Sequence, residues 1–285
     1  MNAVRKALWF IEAHFASELN LQEVAQCADV SKFHLLRAFG AAIGMPIMQY
    51  VRARRLSQAA CRLAEGSQDI LTVALDAGYN SHEAFTRAFR DLFDVTPESV
   101  RRQRSVEHLK LIEARTMNTA PIRKLDPPRI EAREALLIAG LTEHYQCDQG
   151  AAGIPAQWQR FVNFLGNIPE QMGEDTFGVV YNTDAEGSMD YLSGVQVRSI
   201  SRLPTGLSSL QLPERQYAIF FHPDHVASIR ASWNYIWNEW LPQSKLDLAE
   251  APILEHYDQR FNPRTGAGGV ELWVPLQDAQ ASRSG

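Results

Sequence analysis

At 285 residues the chain is long enough for two domains, and 45% hydrophobic residues suffice for two packed cores. No apolar run approaches the roughly 20 residues of a membrane helix, and the block Ala7 to Ile11 is too short for a signal peptide and suits a first helix. Three widely spaced cysteines, Cys27, Cys61 and Cys147, indicate neither a disulfide framework nor a zinc site, so a reducing cytoplasm is the expected home. The net charge of −5 conceals an asymmetry: residues 1–104 carry 13 Lys/Arg against 11 Asp/Glu, whereas residues 105–285 carry 15 against 22. The first half holds an arginine cluster, Arg52, Arg54, Arg55, Arg101, Arg102 and Arg104, suited to a polyanion, with solvated or carboxylate-paired surface charge as the competing reading.

Asn20, followed three residues on by Glu23, forms a cap and carboxylate pair that satisfies free N–H groups at a helix start. Leu21, Val24 and Ala25 share an apolar face, Asp29-Val30 turns the chain, and Ser31 caps a second helix whose Leu35 and Phe39 point inward. That leaves Phe33, Leu36 and Arg37 on the outward face. Pro46 suits a first helical turn, and Ile47, Tyr50, Val51, Leu56, Ala59 and Leu63 supply the stripe of a connecting helix. Residues 69 to 93 repeat the two-helix plan. Ile70, Val73, Ala74 and Ala77 form one face, Gly78 permits the turn, and a helix beginning at Ser81 is anchored by Phe85 and Phe89.

Two such units fifty residues apart in sequence make a reader of double-stranded DNA the leading function. An outward arginine early in a recognition helix can make the bidentate guanine contact, so Arg37 is the first candidate, flanked by Phe33 and Leu36 for thymine methyls; a phosphate contact or surface salt bridge is its alternative. In the second unit His82, Thr86 and Arg87 point outward as candidates for phosphate or base contacts. Glu83, which with Asn80 makes another cap and carboxylate pair, is expected to start the helix more than to touch DNA.

The runs Ser31-Lys32-Phe33-His34-Leu35-Leu36-Arg37-Ala38-Phe39, Tyr50-Val51-Arg52-Ala53-Arg54-Arg55-Leu56, and Phe85-Thr86-Arg87-Ala88-Phe89-Arg90 before Thr96-Pro97 resemble the AraC/XylS DNA-binding domain. The resemblance covers residues 1–105 and implies an all-α module of seven helices with two helix-turn-helix units. Val100 replaces the family's usual aromatic before Arg101, and Asp94 a common glycine.

A polar stretch, residues 106–126, reads as a linker ahead of Pro127-Pro128. Beyond it Ala135 to Leu141, Phe177 to Tyr181 and Tyr191 to Val197 are strand-like around a helix from Ile154 to Leu165. Tyr217 to Phe221, Ile253 to Tyr257 and Val270 to Val274 repeat the strands around a helix from Val226 to Leu241. Two strand-helix-strand-strand halves make an α+β domain over residues 127–278, with a cleft between the halves as the natural ligand site and residues 279–285 as a tail. Ile154-Pro155-Ala156-Gln157-Trp158, Phe177-Gly178-Val179, Asp190-Tyr191-Leu192-Ser193-Gly194-Val195, Trp240-Leu241-Pro242, Leu254-Glu255-His256-Tyr257 and Val270-Glu271-Leu272-Trp273-Val274-Pro275 resemble the GyrI-like effector domain of multidrug-sensing regulators. An AraC-type reader followed by this domain is the architecture of the Rob-type regulators.

Five of the six tryptophans lie after residue 150, and aromatic walls suit flat apolar or cationic ligands. Glu255 interrupts an apolar strand; alternation puts it on one face with Tyr257, where it either faces solvent or meets a partner. The resemblance implies that this glutamate meets the ligand; with Trp158, Tyr191 and Trp273 as aromatic walls around such a carboxylate, a flat, cationic, aromatic small molecule is the expected effector. Trp233 and Trp237, four apart on a helix, read as core more readily than as ligand wall. No cofactor and no membrane partner are expected; promoter DNA, a small-molecule effector and RNA polymerase are, in a cytoplasmic, nucleoid-associated protein. Two competing classes remain. One is an effector domain that binds a protein such as gyrase or polymerase. The other is a hydrolase built on His222-Pro223-Asp224-His225, which lacks a third ligand at a recognisable distance, while His144 with Cys147 is weaker still.

Overall fold

A computed structural model describes residues 2–66, 68–114, 121–146 and 150–277. Cys147, the tail 279–285 and part of the linker lie outside the described residues. The chain divides into two compact units, residues 1–35 with 46–118 and residues 36–45 with 119–285.

The helical region begins with α1 (Ala3–His14), followed by the first two-helix unit, α2 (Leu21–Ala28) and α3 (Lys32–Ile43). The capping box expected at Asn20 is present: its side chain accepts from Glu23 N at 3.0 Å, and the Glu23 carboxylate accepts from Asn20 N at 3.5 Å. Asp29 turns the chain in the left-handed region, φ 59°, and the Ser31 hydroxyl accepts from His34 N at 3.2 Å. Helix α4 (Ile47–Glu65) follows directly on Pro46, which serves as the cap residue ahead of the helix rather than as part of its first turn. The second unit is α5 (Ile70–Asp76) and α6 (His82–Phe93), and α7 (Pro97–Gln103) closes the region. Ser81, not Asn80, caps α6, accepting from Ala84 N at 3.1 Å.

Helix α4 connects two sets of contacts. Near its start Tyr50 donates to Glu12 at 2.6 Å, and Arg54 grips the same carboxylate through Nε at 3.0 Å and Nη2 at 2.8 Å while donating to Ile112 O at 2.8 Å. Further on, Leu56, Ala59, Ala60 and Leu63 form one core with Ile70, Val73, Ala74, Phe85, Phe89, Phe93 and Val100. Val100 is fully buried there, so the smaller residue still fills its place. Arg55 donates to Phe15 O at 2.5 Å and Ser17 O at 2.7 Å. Arg54 and Arg55 therefore hold α1 against α4, and within the arginine cluster the exposed side chains are Arg52, Arg102 and Arg104.

The second region is an α+β fold with one eight-stranded antiparallel sheet. Its strands are β1 (Arg129–Arg133), β2 (Leu136–Tyr145), β3 (Gln171–Tyr181), β4 (Met189–Val197), β5 (Ser208–Leu212), β6 (Arg215–His222), β7 (Ile253–Tyr257) and β8 (Val270–Pro275), in the order β1-β6-β8-β7-β3-β4-β2-β5. The two expected halves are the triplets β2-β4-β3 and β6-β8-β7, joined at β3 and β7. Helix α8 (Gly150–Phe161) belongs to the first. The second carries a 3₁₀ turn, α9 (Ile229–Tyr235), a π turn (Ile236–Trp240) and α10 (Leu241–Ser244), where the sequence suggests one continuous helix.

Strands β1 and β5 were not legible in the sequence. Each precedes one half yet pairs with the first strand of the other: Arg129 opposes Ile219 across β1 and β6, and Leu136 opposes Leu212 across β2 and β5. Both are five-residue edge strands, and β1 is largely charged, a composition that discourages further strand addition.

Asp94, standing where a glycine is common, adopts φ 59° at the C-terminal end of α6, a conformation that costs an L residue with a Cβ, and its carboxylate faces the negative end of the helix dipole. Asp94→Gly should raise the stability of the helical region by about 1 kcal/mol, read as a later denaturant midpoint of its helical circular-dichroism signal; an unchanged or earlier midpoint refutes this account.

Candidate functional site

Register decides which side chains share a face. Glu255 opposes Gly178 on β3 and Leu272 on β8, whereas Leu254 opposes Trp273. Glu255, Tyr257 and Tyr191 therefore point to one face, and Leu254, His256, Glu271 and Trp273 to the other.

On the first face Glu255 Oε2 accepts from the Tyr191 hydroxyl at 2.8 Å and from the Tyr257 hydroxyl at 2.9 Å. Trp158 on α8 donates through Nε1 to the Tyr191 oxygen at 3.1 Å and sets its ring edge against Tyr257, centroids 5.2 Å apart. Trp233 on α9 acts on Glu255 in the sense that favours its charged form, and stacks on Trp237 at 5.4 Å. Gly178 is part of this design: a Cβ there would lie 2.1 Å from the Tyr191 hydroxyl and 2.9 Å from Glu255 Oε2. Gln157, fully buried, ties α8 to the sheet by donating to Leu141 O at 2.6 Å and Tyr191 O at 2.9 Å.

The electrostatics follow from burial. Desolvation pushes the Glu255 pKa up, and the hydrogen bonds from Tyr191 and Tyr257 and the effect of Trp233 only partly oppose it. Burial and the neighbouring carboxylate push both tyrosines well above their usual value, so both remain hydroxyl donors at neutral pH. The site is a carboxyl group in an aromatic shell whose donors are all uncharged, a chemistry that favours an entering cation.

Three of the four expected ligand residues, Trp158, Tyr191 and Glu255, thus come together. Trp273 does not: one residue of register places it on the opposite face, where it packs on Tyr217 at 5.5 Å and donates to Glu271 at 3.1 Å. Trp233, read from sequence as core more readily than as ligand wall, is buried as that reading expects and also acts on the carboxylate. Tyr257 was placed on the right face by alternation. The room left by Gly178 has no signal in a single sequence.

The opposite face holds a charged network. Glu271 accepts from Arg129 at 3.0 Å, Arg260 at 3.2 Å and Trp273 at 3.1 Å, and His256 bridges Glu271 at 3.1 Å and Asp175 at 2.9 Å. The bond to His256, joined by those to Arg129 and Trp273, holds Glu271 well below the usual carboxylate range. Burial alone would lower His256, but its two carboxylate partners raise it.

In the two helix-turn-helix units, His82, Glu83, Thr86 and Arg87 lie along one face of α6 with Arg90, Asp91 and Asp94. His82 and Arg87 are exposed, while Thr86 is half-buried with its hydroxyl oxygen beneath the surface. Glu83 bonds its own backbone N–H and the Ser81 hydroxyl and is held below the usual range, in keeping with a helix-starting role. Phe33 and Leu36 are half-buried on α3. Arg37 departs from expectation. It is half-buried rather than outward, its guanidinium 5.9 Å from the Trp237 ring centroid within the unit formed by residues 36–45 and 119–285, and desolvation pushes its pKa down to about 9.

His222 and His225 are engaged structurally. His222 Nδ1 pairs with the Ser232 hydroxyl at 2.8 Å and Nε2 with His225 O at 3.2 Å, while His225 caps the 3₁₀ turn by accepting from Ala227 N at 3.1 Å. Among the described residues no cluster of three His, Cys, Asp or Glu side chains could hold a metal ion, and no helix is long and apolar enough to cross a membrane.

Residues 126–277 match the family described as GyrI-like small molecule binding domain, and residues 24–103 match a helix-turn-helix domain family. The right origin-binding protein of Escherichia coli K12 is 33% identical over 171 residues, covering 58% of this chain and 57% of that protein. The transcriptional regulator Rob of Salmonella typhimurium is 41% identical over 99 residues, 35% of this chain and 34% of its own length. The multiple antibiotic resistance protein MarA of Salmonella typhimurium is 35% identical over 98 residues, 34% of this chain and 77% of its length. The chain thus spans little more than half the length of the first of these relatives.

A histidine whose folded pKa lies above its unfolded value near 6.5 contributes stability fully below that value and loses it as pH rises through the folded pKa. The denaturant midpoint of the sheet domain should therefore fall as pH rises from about 6.5 through the raised folded pKa of His256. His256→Gln should lower the midpoint at the acid end of that window and flatten the fall; a variant that keeps the full slope shows that another group sets it.

Proposed function

Because this chain belongs to the GyrI-like small-molecule binding family and carries an AraC-type helix-turn-helix domain, we propose that it is a ligand-responsive transcription regulator. The helical region binds promoter DNA through α3 and α6, and a small molecule bound at Glu255 changes promoter occupancy or contact with RNA polymerase in the cytoplasmic nucleoid. The observation that carries the sensing half is the half-buried Glu255 carboxylate held among Tyr191, Tyr257, Trp158 and Trp233. The DNA half is supported by the two helix-turn-helix units, with His82, Thr86, Arg87 and the neighbouring Arg90 on the α6 face and Phe33 and Leu36 on α3.

Paired readers on one chain imply an asymmetric site with two contact regions about one helical turn apart, in successive major grooves on one face of the duplex. Footprinting of the intact protein on an in vitro selected site checks this, and protection of a single major-groove segment would sink it. Arg87→Ala should weaken all sequences alike and reduce the salt dependence if Arg87 meets phosphate, or relax one base position if it meets a base edge.

For the effector, flat permanent cations should bind better than anions of similar size. Tryptophan-fluorescence titration with 10-methylacridinium against 9-anthracenecarboxylate measures the preference, which Glu255→Gln should abolish by removing the charge while retaining the shape. Equal affinity of the wild type and Glu255→Gln for the cation would remove Glu255 from the ligand site.

A further inference from the structure

Among the described residues, the groups acting on the carboxylate that would receive a cation include no cationic side chain. From β4 the carboxylate is met by Tyr191, from β7 by Tyr257 and from α9 by Trp233; Gly178 on β3 and Leu272 on β8 oppose it in register, and Trp158 on α8 reaches it through the Tyr191 oxygen. Both phenol hydroxyls converge on Oε2. A naked carboxylate in such a place is costly to bury, and donors without charge offset only part of that cost. A proton is the smallest cation that can neutralise it. Oε2 is already occupied by two donors, which leaves Oε1 as the atom to carry that proton.

We propose that ligand binding at Glu255 is an exchange of cations: the empty site holds a neutral carboxylic acid, and an arriving organic cation displaces its proton to solvent. In this step the Oε1–H bond breaks, its electron pair stays on the carboxylate, and the proton passes to a water or buffer base. The bound state is a carboxylate paired with the ligand, still held by the Tyr191 and Tyr257 hydroxyls. The raised pKa of Glu255 agrees with this order of events. The effector domain then reports cation concentration relative to proton concentration, and acidification acts as a competitor. This inference rests on the reading of Glu255 as the ligand carboxylate, and its test separates the two.

Calorimetric titration of the full-length protein with 10-methylacridinium, whose charge does not depend on pH, is carried out in paired buffers of different ionisation enthalpy. Below the Glu255 pKa the apparent enthalpy should vary with the buffer in proportion to nearly one proton released per cation bound, and Kd should fall about tenfold per pH unit of increase. Above that pKa both dependences should vanish. Glu255→Gln should bind weakly and release no proton. Tyr257→Phe retains the acid but removes one donor to the carboxylate, so the midpoint of the proton-release curve should move to higher pH. His256→Gln, altered on the opposite face, should leave the release curve in place.

Cation binding that requires Glu255 yet shows no proton release and no pH dependence would overturn the exchange and leave the cation site standing. Release that persists in Glu255→Gln, disappears in His256→Gln, or keeps its midpoint in Tyr257→Phe would also overturn it. If 10-methylacridinium and other permanent cations fail to bind at any pH, both the exchange and the cation site fall.

Discussion

Alternation along β7 governs the GyrI-like domain. Glu255 and Tyr257 face the helices, while His256 between them faces the charged network around Glu271. Two carboxylates on neighbouring strands thereby meet opposite fates. Glu271 is surrounded by Arg129, Arg260 and His256 and is held in its charged form; Glu255 is offered only hydroxyl and indole donors and is pushed toward its neutral form. A one-residue slip of β7 would exchange the two environments and destroy both, so the pairings Gly178 with Glu255 and Leu254 with Trp273 are as much part of the site as the carboxylate itself.

The helical region was almost wholly legible because its signals are local. Caps at Asn20 and Ser31, the glycine turn at Gly78 and the apolar spacing of α4 each act within a few residues. Their reading required no partner strand. What escaped was tertiary: Arg54 and Arg55 look like DNA-facing cations in a list of residues, but their planar donor sets find Glu12, Ile112 O, Phe15 O and Ser17 O. Arg37 escaped for a similar reason, since helical periodicity reports which side of a helix a residue occupies and not what covers that side.

In the sheet domain the central strands were readable from their apolar runs, and β7 was read with its full extent. Edge strands β1 and β5 carry too few apolar residues to stand out. Trp273 was misjudged because aromatic character says nothing of strand register; its neighbour across the sheet, Leu254, settles its face. Gly178 and Gln157 act through space and through a buried amide, and each is silent without coordinates.

The exchange of β1 and β5 between the halves sets an order on biosynthesis. As the polypeptide leaves the ribosome, β1 emerges without its partner, because β6 has yet to be made, and β2 must wait for β5 before its outer edge is covered. The first half therefore exists for a time as a sheet with bare edges, the condition under which strands find wrong neighbours. Closure comes with the second half, and the aromatic shell around Glu255 comes with it, since β7 is among the last strands produced. A nascent or truncated chain can thus display its two helix-turn-helix units before the aromatic shell around Glu255 exists.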